Sequence, residues 1–421
     1  MASAASSEVP PDGAAPVGRP DPDVEDLLEH SAEKFGAGSA VTMNSPSLAL
    51  GVRSWTSTGS LALDLAIGGP HVPGGIPTGR IVEIRGETSE GKSLILYHLL
   101  ANNQKAGGIS ILFDTEEATA PSHAVDLGVN PDTLVMPQPK TMDNGIPRWT
   151  VEEIVERVES YLTRLYLKWR ERGGEMRPLM IGWDSVAQTP SKYESEQAPG
   201  DENYMRTKVG DHAKSLSTAF RRLPGLFMRL NASMVCINQL RGGPPKRPGL
   251  PEPKTSLGGR ALGFAASVRI EVSKLGDVYD KADPKTRQKI GIDIEAEVFK
   301  NKISRPFRCA MYRVYFETGI CDVALMPDQL VNWGAMTKTG GTRIGAGMYQ
   351  FPSATGLSPK GMRLDSYLET MERNQVIRDA LRDWFRDRFK LQEALSPVAK
   401  ARLAAGMENA SVTDPNRDVG D

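Results

Sequence analysis

The stretch RIVEIRGETSEGKS occupies residues 80–93. Its first half reads as a strand. Its second half sets Gly86, Gly91, Lys92 and Ser93 at the spacing G-x-x-x-x-G-K-[ST], and the helical run LILYHLLANNQ follows. Two glycines let the backbone wrap without side-chain clash, so successive N–H groups turn inward and cradle a phosphate at the start of a helix. Lys92 is a point cation for the β- and γ-phosphates of a nucleotide, and Ser93 offers a hydroxyl to Mg2+. The spacing alone also occurs on ordinary glycine-rich turns. Here the strand before and the helix after supply the context the chemistry needs. Gly86, Glu87, Thr88, Ser89, Glu90, Gly91, Lys92 and Ser93 are therefore read as a nucleotide-phosphate loop.

Working outward, strand-like runs alternate with helical ones. GISILFD (108–114), PLMIGWD (178–184), ASMVCINQ (232–239) and ASVRIEV (266–272) read as buried strands. Between them VEEIVERVESYLTRLYLKWRER (151–172) repeats apolar residues at helical spacing. Alternation of this kind implies a largely parallel sheet with helices on both faces. GIDIEAEVFKNK and RCAMYRVYFETG extend it as antiparallel strands. The expected organisation is a disordered tail over 1–21, an N-terminal helix and linker over 22–55, and an ATPase-type core over 56–325. A mainly helical C-terminal region with its own core follows over 326–407, and a flexible tail over 408–421. Val376, Ile377, Leu381, Trp384, Phe385 and Phe389 form the expected apolar stripe of the C-terminal region.

Composition narrows the function. The chain has 421 residues, 39% of them hydrophobic, which suffices for a large core with appendages. Net charge is −1, so any nucleic-acid contact must be a local basic patch rather than a global field. Three scattered cysteines with no CxxC pair argue against a disulfide framework or a zinc site, and for a reducing, cytoplasmic setting. The N-terminal stretch has neither a cationic, apolar secretion pattern nor an Arg-rich transit pattern. No apolar run reaches the roughly 20 residues of a membrane span.

A phosphate loop needs a second, metal-orienting carboxylate at the end of a neighbouring strand, and Asp184 in PLMIGWD fits that need. Hydrolysis needs a group that orients or deprotonates water. Glu116 and Glu117 stand just past a strand end, where α/β sheets carry ligands, and Glu116 is the better placed. RGGPPKRPGLPEPKTSLGG (241–259) holds Arg241, Lys246, Arg247 and Lys254 against a single acid, Glu252, amid prolines and glycines. Such a long, structureless, basic loop suits sequence-independent phosphate contacts.

With these motifs in order, EKFGAGS, STGSLALDLAIGG, GRIVEIRGETSEGKS, DTEEA, WDSVAQTP, CINQLR, SLGGRALGFAASVRIEV and KNKISRPFR, the chain over about residues 25–345 resembles the bacterial RecA recombinases and their phage counterparts. The resemblance implies a RecA-like core and filaments on single-stranded DNA. It also implies ATP and Mg2+ as cofactors, and pairing with a homologous duplex coupled to DNA-dependent ATP hydrolysis. It places Glu116 on the catalytic glutamate and Asp184 on the metal-linked aspartate. Gln239 falls on the γ-phosphate-sensing glutamine, and Lys300 and Lys302 on two lysines that reach ATP across the protomer interface. His123 takes the place of an adenine-stacking tyrosine. Residues 190–211, followed by a helix bearing Lys214, Arg221 and Arg222, match the first DNA loop. The 241–259 stretch, with Gly258 and Gly259, matches the second. The N-terminal helix is expected to link protomers, and single-strand-binding and mediator proteins are expected partners.

The second loop lacks the family's aromatic residue, and Gly263 replaces a family lysine. These departures suggest a divergent, phage-encoded member. The competing readings are a hexameric helicase-type motor of the same fold and a non-hydrolysing recombination mediator.

Overall fold

The computed structural model describes residues 21–42, 52–70, 72–141, 147–173, 176–196, 211–242, 254–256, 260–280, 287–341, 343–357 and 360–394. The chain divides into two compact units, Met1–Gly51 and Val52–Asp421. In the first, α1 (Pro22–Phe35) begins where the Asp21 side chain accepts the Asp23 N–H, and stops at Gly36, whose φ is 97°. The helix is amphipathic, yet none of its residues is buried, and Leu27 and Phe35 are 66% and 69% exposed.

The second unit is built on a ten-stranded sheet. After α2 (Leu61–Gly68) come β1 (Ile81–Gly86), α3 (Lys92–Lys105), β2 (Ile109–Asp114), α4 (Pro121–Asp126), β3 (Leu134–Val135), α5 (Val151–Arg172) and β4 (Leu179–Asp184). Then follow α6 (Asp211–Arg229), β5 (Ala232–Gly242), β6 (Lys254–Ser256), α7 (Ala261–Ala265), β7 (Val268–Tyr279), β8 (Lys289–Asn301), β9 (Arg308–Tyr315) and β10 (Gly319–Cys321). Across the sheet the order is β10-β9-β8-β7-β1-β5-β4-β2-β3, with β6 paired to β5. The run from β7 to β3 is parallel, whereas β8, β9 and β10 are added antiparallel. This is the expected mostly parallel sheet with an antiparallel extension.

Side chains alternate along each strand, so one sheet feeds two cores. Val82, Ile84, Ile270 and Ile237 join the helices α2 and α3 in one buried cluster. Ile81, Ile181, Trp183 and Met234 join α5 and α6 in the other. Helix α5 shows why these residues fold so. The Thr150 hydroxyl accepts the Glu153 N–H at its start, Val151, Ile154, Val155, Val158 and Leu162 line its buried face, and Gly173 ends it in the left-handed conformation.

The C-terminal region differs from expectation. It comprises α8 (Met326–Asn332), a hairpin of β11 (Thr337–Thr339) and β12 (Met348–Gln350), α9 (Leu364–Arg373) and α10 (Gln375–Ala394). Met326, Tyr349, Tyr367, Leu381 and Phe385 lie in the same buried cluster as Leu63 and Tyr312 of the sheet body, so among the described residues the C-terminal region shares its core with that body. The reason is geometric: Trp333, just after α8, meets the Phe385 ring at 4.9 Å and the Phe389 ring at 5.8 Å, which pulls α10 onto the body. Val376 leaves the expected stripe and is 78% exposed, because it sits in the first turn of α10, before the buried positions begin.

Candidate nucleotide site and the stem of the basic loop

The loop between β1 and α3 is held by its two glycines. A Cβ on Gly86 would lie 2.6 Å from Glu90 Oε2 and 2.7 Å from the Val272 carbonyl oxygen; one on Gly91 would lie 2.9 Å from Ile294 Cδ1. Gly91 has φ 77° and is the residue from which α3 starts. The loop therefore wraps as closely as a phosphate cradle requires, and α3 points its N-terminus into it. Lys92 is 8% exposed, and its ammonium donates to the Glu87 carbonyl at 2.5 Å, closing the loop. Burial lowers its pKa, an effect opposed by Glu90, Asp184 and Glu116 nearby.

Three strand ends converge beside the loop. Ser93 Oγ donates to Asp184 Oδ2 at 2.6 Å. Burial pushes the Asp184 carboxyl up to about 6, the Ser93 hydrogen bond pulls it down, and Glu116 and Asp114 raise it further. Asp114, directly across the ladder from Asp184, is occupied otherwise: its Oδ2 accepts the Thr119 N–H at 2.9 Å. Glu116 Oε1 accepts Ser185 Oγ at 2.5 Å and Gln239 Nε2 at 3.4 Å. Thus Lys92, Ser93, Asp184, Glu116 and Gln239 meet in one place. Glu117, at φ 51° and exposed, has no part in that cluster.

The remaining candidates lie apart. His123 sits on α4 and meets the Tyr97 ring edge-on at 6.4 Å. Lys300 donates to the carbonyls of Gly263 (2.6 Å) and Phe264 (3.2 Å), and Lys302 to that of Phe264 at 3.4 Å. Burial, then Lys302 and Arg269, lower the Lys300 pKa to about 8. Both lysines are thus tied to α7, and they make no described contact with the phosphate loop of their own chain. On α6, Lys214 is exposed, Arg221 folds back to the Ser217 carbonyl at 3.2 Å, and Arg222 pairs with Glu159 at 2.6 Å. Lys246, Arg247, Gly258 and Gly259 lie outside the described residues, as does most of the first loop. The second loop is not structureless throughout. Its ends form a ladder, β5 against β6, pairing Leu240 with Ser256, Arg241 with Thr255 and Gly242 with Lys254.

Some participants escaped sequence reading. Ser185 carried no sequence signal beyond its place next to Asp184. Glu90 is legible as one of the loop residues, but its particular bonds are not: its Oε2 accepts the Glu87 N–H at 2.5 Å and its Oε1 the Lys274 N–H at 3.3 Å, pinning the loop to β7.

A parallel sheet whose first strand delivers a glycine loop to a helix N-terminus, with an acid at the end of a nearby strand bonded to the loop serine, defines a phosphate-loop nucleotide-binding fold. The RecA N-terminal domain profile matches residues 23–159 and 176–321. Protein RecA of Leptospira meyeri is 34% identical over 333 residues, covering 78% of this chain and 76% of that protein. Protein RecA of Aquifex pyrophilus is 36% identical over 283 residues, 67% of this chain and 71% of its own. That of Aquifex aeolicus is 34% identical over 318 residues, 75% and 81% respectively. The chain belongs to the RecA family of recombinases. The helicase and mediator readings gain no support from these relatives.

Proposed function

We propose that the protein is a DNA-dependent ATPase that polymerises on single-stranded DNA and drives homologous pairing and strand exchange in recombination and repair. The observation that carries this is the meeting of the Ser93–Asp184 bond with the Glu116–Gln239 contact, at the end of a strand that runs on into the basic loop. The loop suits a nucleotide's phosphates: Gly86 and Gly91 pack against Val272 and Ile294 too closely for a side chain, which leaves the backbone N–H groups at the start of α3 clear beside Lys92. Ser93 and Asp184 are a hard-oxygen pair suited to Mg2+, which when bound neutralises charge on the β- and γ-phosphates. Lys92 exchanges its bond to the Glu87 carbonyl for a phosphate oxygen. Glu116, facing solvent, orients an attacking water and accepts its proton, with Ser185 fixing the carboxylate. Gln239 donates to the γ-phosphate and passes its position to β6 through the adjoining ladder.

In this reading Lys300 and Lys302 serve the site of a neighbouring protomer, α1 packs on a second copy, and the 241–259 loop and α6 face DNA. The proposed setting is the cytoplasm; among the described residues no helix is long and apolar enough to cross a membrane. The test is ATP turnover with and without single-stranded DNA, with electron microscopy of the same mixtures and a strand-exchange assay. Stimulated turnover with helical filaments and joint molecules is expected. Rings with unwinding activity instead, or filaments without hydrolysis, would contradict the proposal.

A further inference from the structure

Along β1, Ile81 belongs to the cluster under α5 and α6, while Val82 and Ile84 belong to the opposite one. The next two positions on the Ile81 face are charged, Glu83 and Arg85. Across the parallel ladder they stand against Arg269 and Glu271 of β7, so the charges alternate in both directions. Glu83 is fully buried; it accepts Arg269 Nε at 2.5 Å and Asn238 Nδ2 at 2.9 Å. Arg85 donates from Nε and Nη2 to Glu271 Oε2 at 3.0 and 2.8 Å. Each guanidinium has donors left over, and both aim at one atom. Arg85 Nη1 lies 3.2 Å and Arg269 Nη2 3.4 Å from Ser256 Oγ. Both are seated over the Phe299 ring of β8, at 3.9 and 4.7 Å from its centroid.

Ser256 closes the stem of the basic loop, opposite Leu240 and so beside Gln239. Arg85 directly precedes Gly86, where the phosphate loop begins. One hydroxyl thus joins that stem to two cations on the strands that hold the loop. A buried ion-pair lattice is often no more stable than apolar side chains of similar volume, so stability alone does not account for it. What forked, stacked guanidinium groups do provide is fixed direction. We propose that Ser256, held by Arg85 and Arg269 over Phe299, is a positioning residue: it couples the phosphate loop to the DNA-contacting loop by a route independent of Gln239. The inference rests on the reading of the 241–259 loop as the DNA surface.

The experiment measures single-stranded DNA affinity of the full chain with and without a non-hydrolysable ATP analogue and Mg2+, and analogue affinity with and without DNA. Linkage requires the two ratios to be equal. Ser256→Ala, which removes the acceptor, and Arg85→Lys, which keeps charge for Glu271 but loses the forked reach, should each lower both ratios by roughly five-fold, within the usual range of coupling between sites. Ser256→Thr keeps the hydroxyl and should retain the wild-type ratios. Ratios unchanged in both Ser256→Ala and Arg85→Lys overturn the proposal, as does a uniform weakening of both ligands that leaves the ratios intact. A wild-type ratio of one also overturns the proposal, whereas DNA affinity unchanged on replacing Lys246 and Arg247 by alanine removes the DNA reading of the loop itself, a separate outcome.

Discussion

Lys92 and Glu116 act on the same phosphates in different ways, and their substitutions separate. Lys92 is held by one carbonyl and drawn by four carboxylates, Glu90, Asp184, Glu116 and Glu87, so its ammonium is available to a stronger anion. Lys92→Ala removes a charged donor, which is expected to weaken nucleotide binding by roughly ten- to a hundred-fold, read by titration of a fluorescent ATP analogue. Glu116→Gln keeps an acceptor for Ser185 and loses only the base. Hydrolysis should fall by about a hundred-fold or more with analogue affinity near wild type, while Glu117→Gln leaves turnover within a factor of about two. The reverse result would assign the base to Glu117. Lys92 and Ser93 were legible from the motif's spacing together with the strand before it and the helix after it. The choice between Glu116 and Glu117 became physical once Ser185 and Gln239 were seen bonded to one and not the other.

Helix α3 is tied to the antiparallel end of the sheet as well as to the phosphates. His98, in the middle of that helix, accepts the Ile320 N–H of β10 at 2.9 Å through Nε2. Gly319 has φ 76°, and a Cβ there would run into the His98 ring, so the bond depends on that glycine. Burial, helped by Lys105, pushes the His98 pKa down from 6.5 to about 4. A depressed histidine stabilises the fold above its unfolded pKa. As pH falls from about 6.5 toward about 4, the unfolded chain takes up a proton that the folded chain refuses, and stability is lost. The loss attributable to this group by pH 4.5 should be about 2–3 kcal/mol, and His98→Gln should flatten the curve by that amount in urea denaturation at pH 7.5 and 4.5. Parallel curves for the two proteins would refute the assignment. Most strands were legible because short runs of Ile, Val and Leu between turn residues have few alternatives. The β5–β6 stem was not, since its segment is rich in proline and glycine and only three residues pair.

Over the whole molecule, the shared buried cluster makes a definite claim about cooperativity. Phe385 is fully buried and belongs to the same cluster as Leu63 of α2 and Tyr312 of β9. Phe385→Ala is expected to cost about 3–5 kcal/mol and to lower a single calorimetric transition of residues 52–421. A separate, lower transition for the C-terminal region would show it to be its own domain after all. The unburied apolar face of α1 makes the second claim. Val24, Leu27 and Phe35 have no partner cluster among the described residues of their unit, and a second copy supplies one in the proposed filament. Removing residues 1–37 should leave nucleotide binding intact and shorten filaments seen by microscopy; unchanged lengths would count against it.

The phosphate loop and the alternation of strands and helices could be read from local pattern, because each depends on residues within a few positions of one another, and the family from the order of such local motifs along the chain. Glycine spacing, strand periodicity and the order of motifs are properties of a line. Three-dimensional packing settled which of two adjacent glutamates meets Gln239, that Arg222 is already paired with Glu159, and that α10 completes the main core instead of starting another. It also joined Arg85, Arg269 and Ser256, which stand 171 and 13 positions apart in sequence. Periodicity says that a face is apolar or charged. What covers that face is set by which strands become neighbours, and in a parallel sheet those neighbours arrive through long crossovers that leave no local trace.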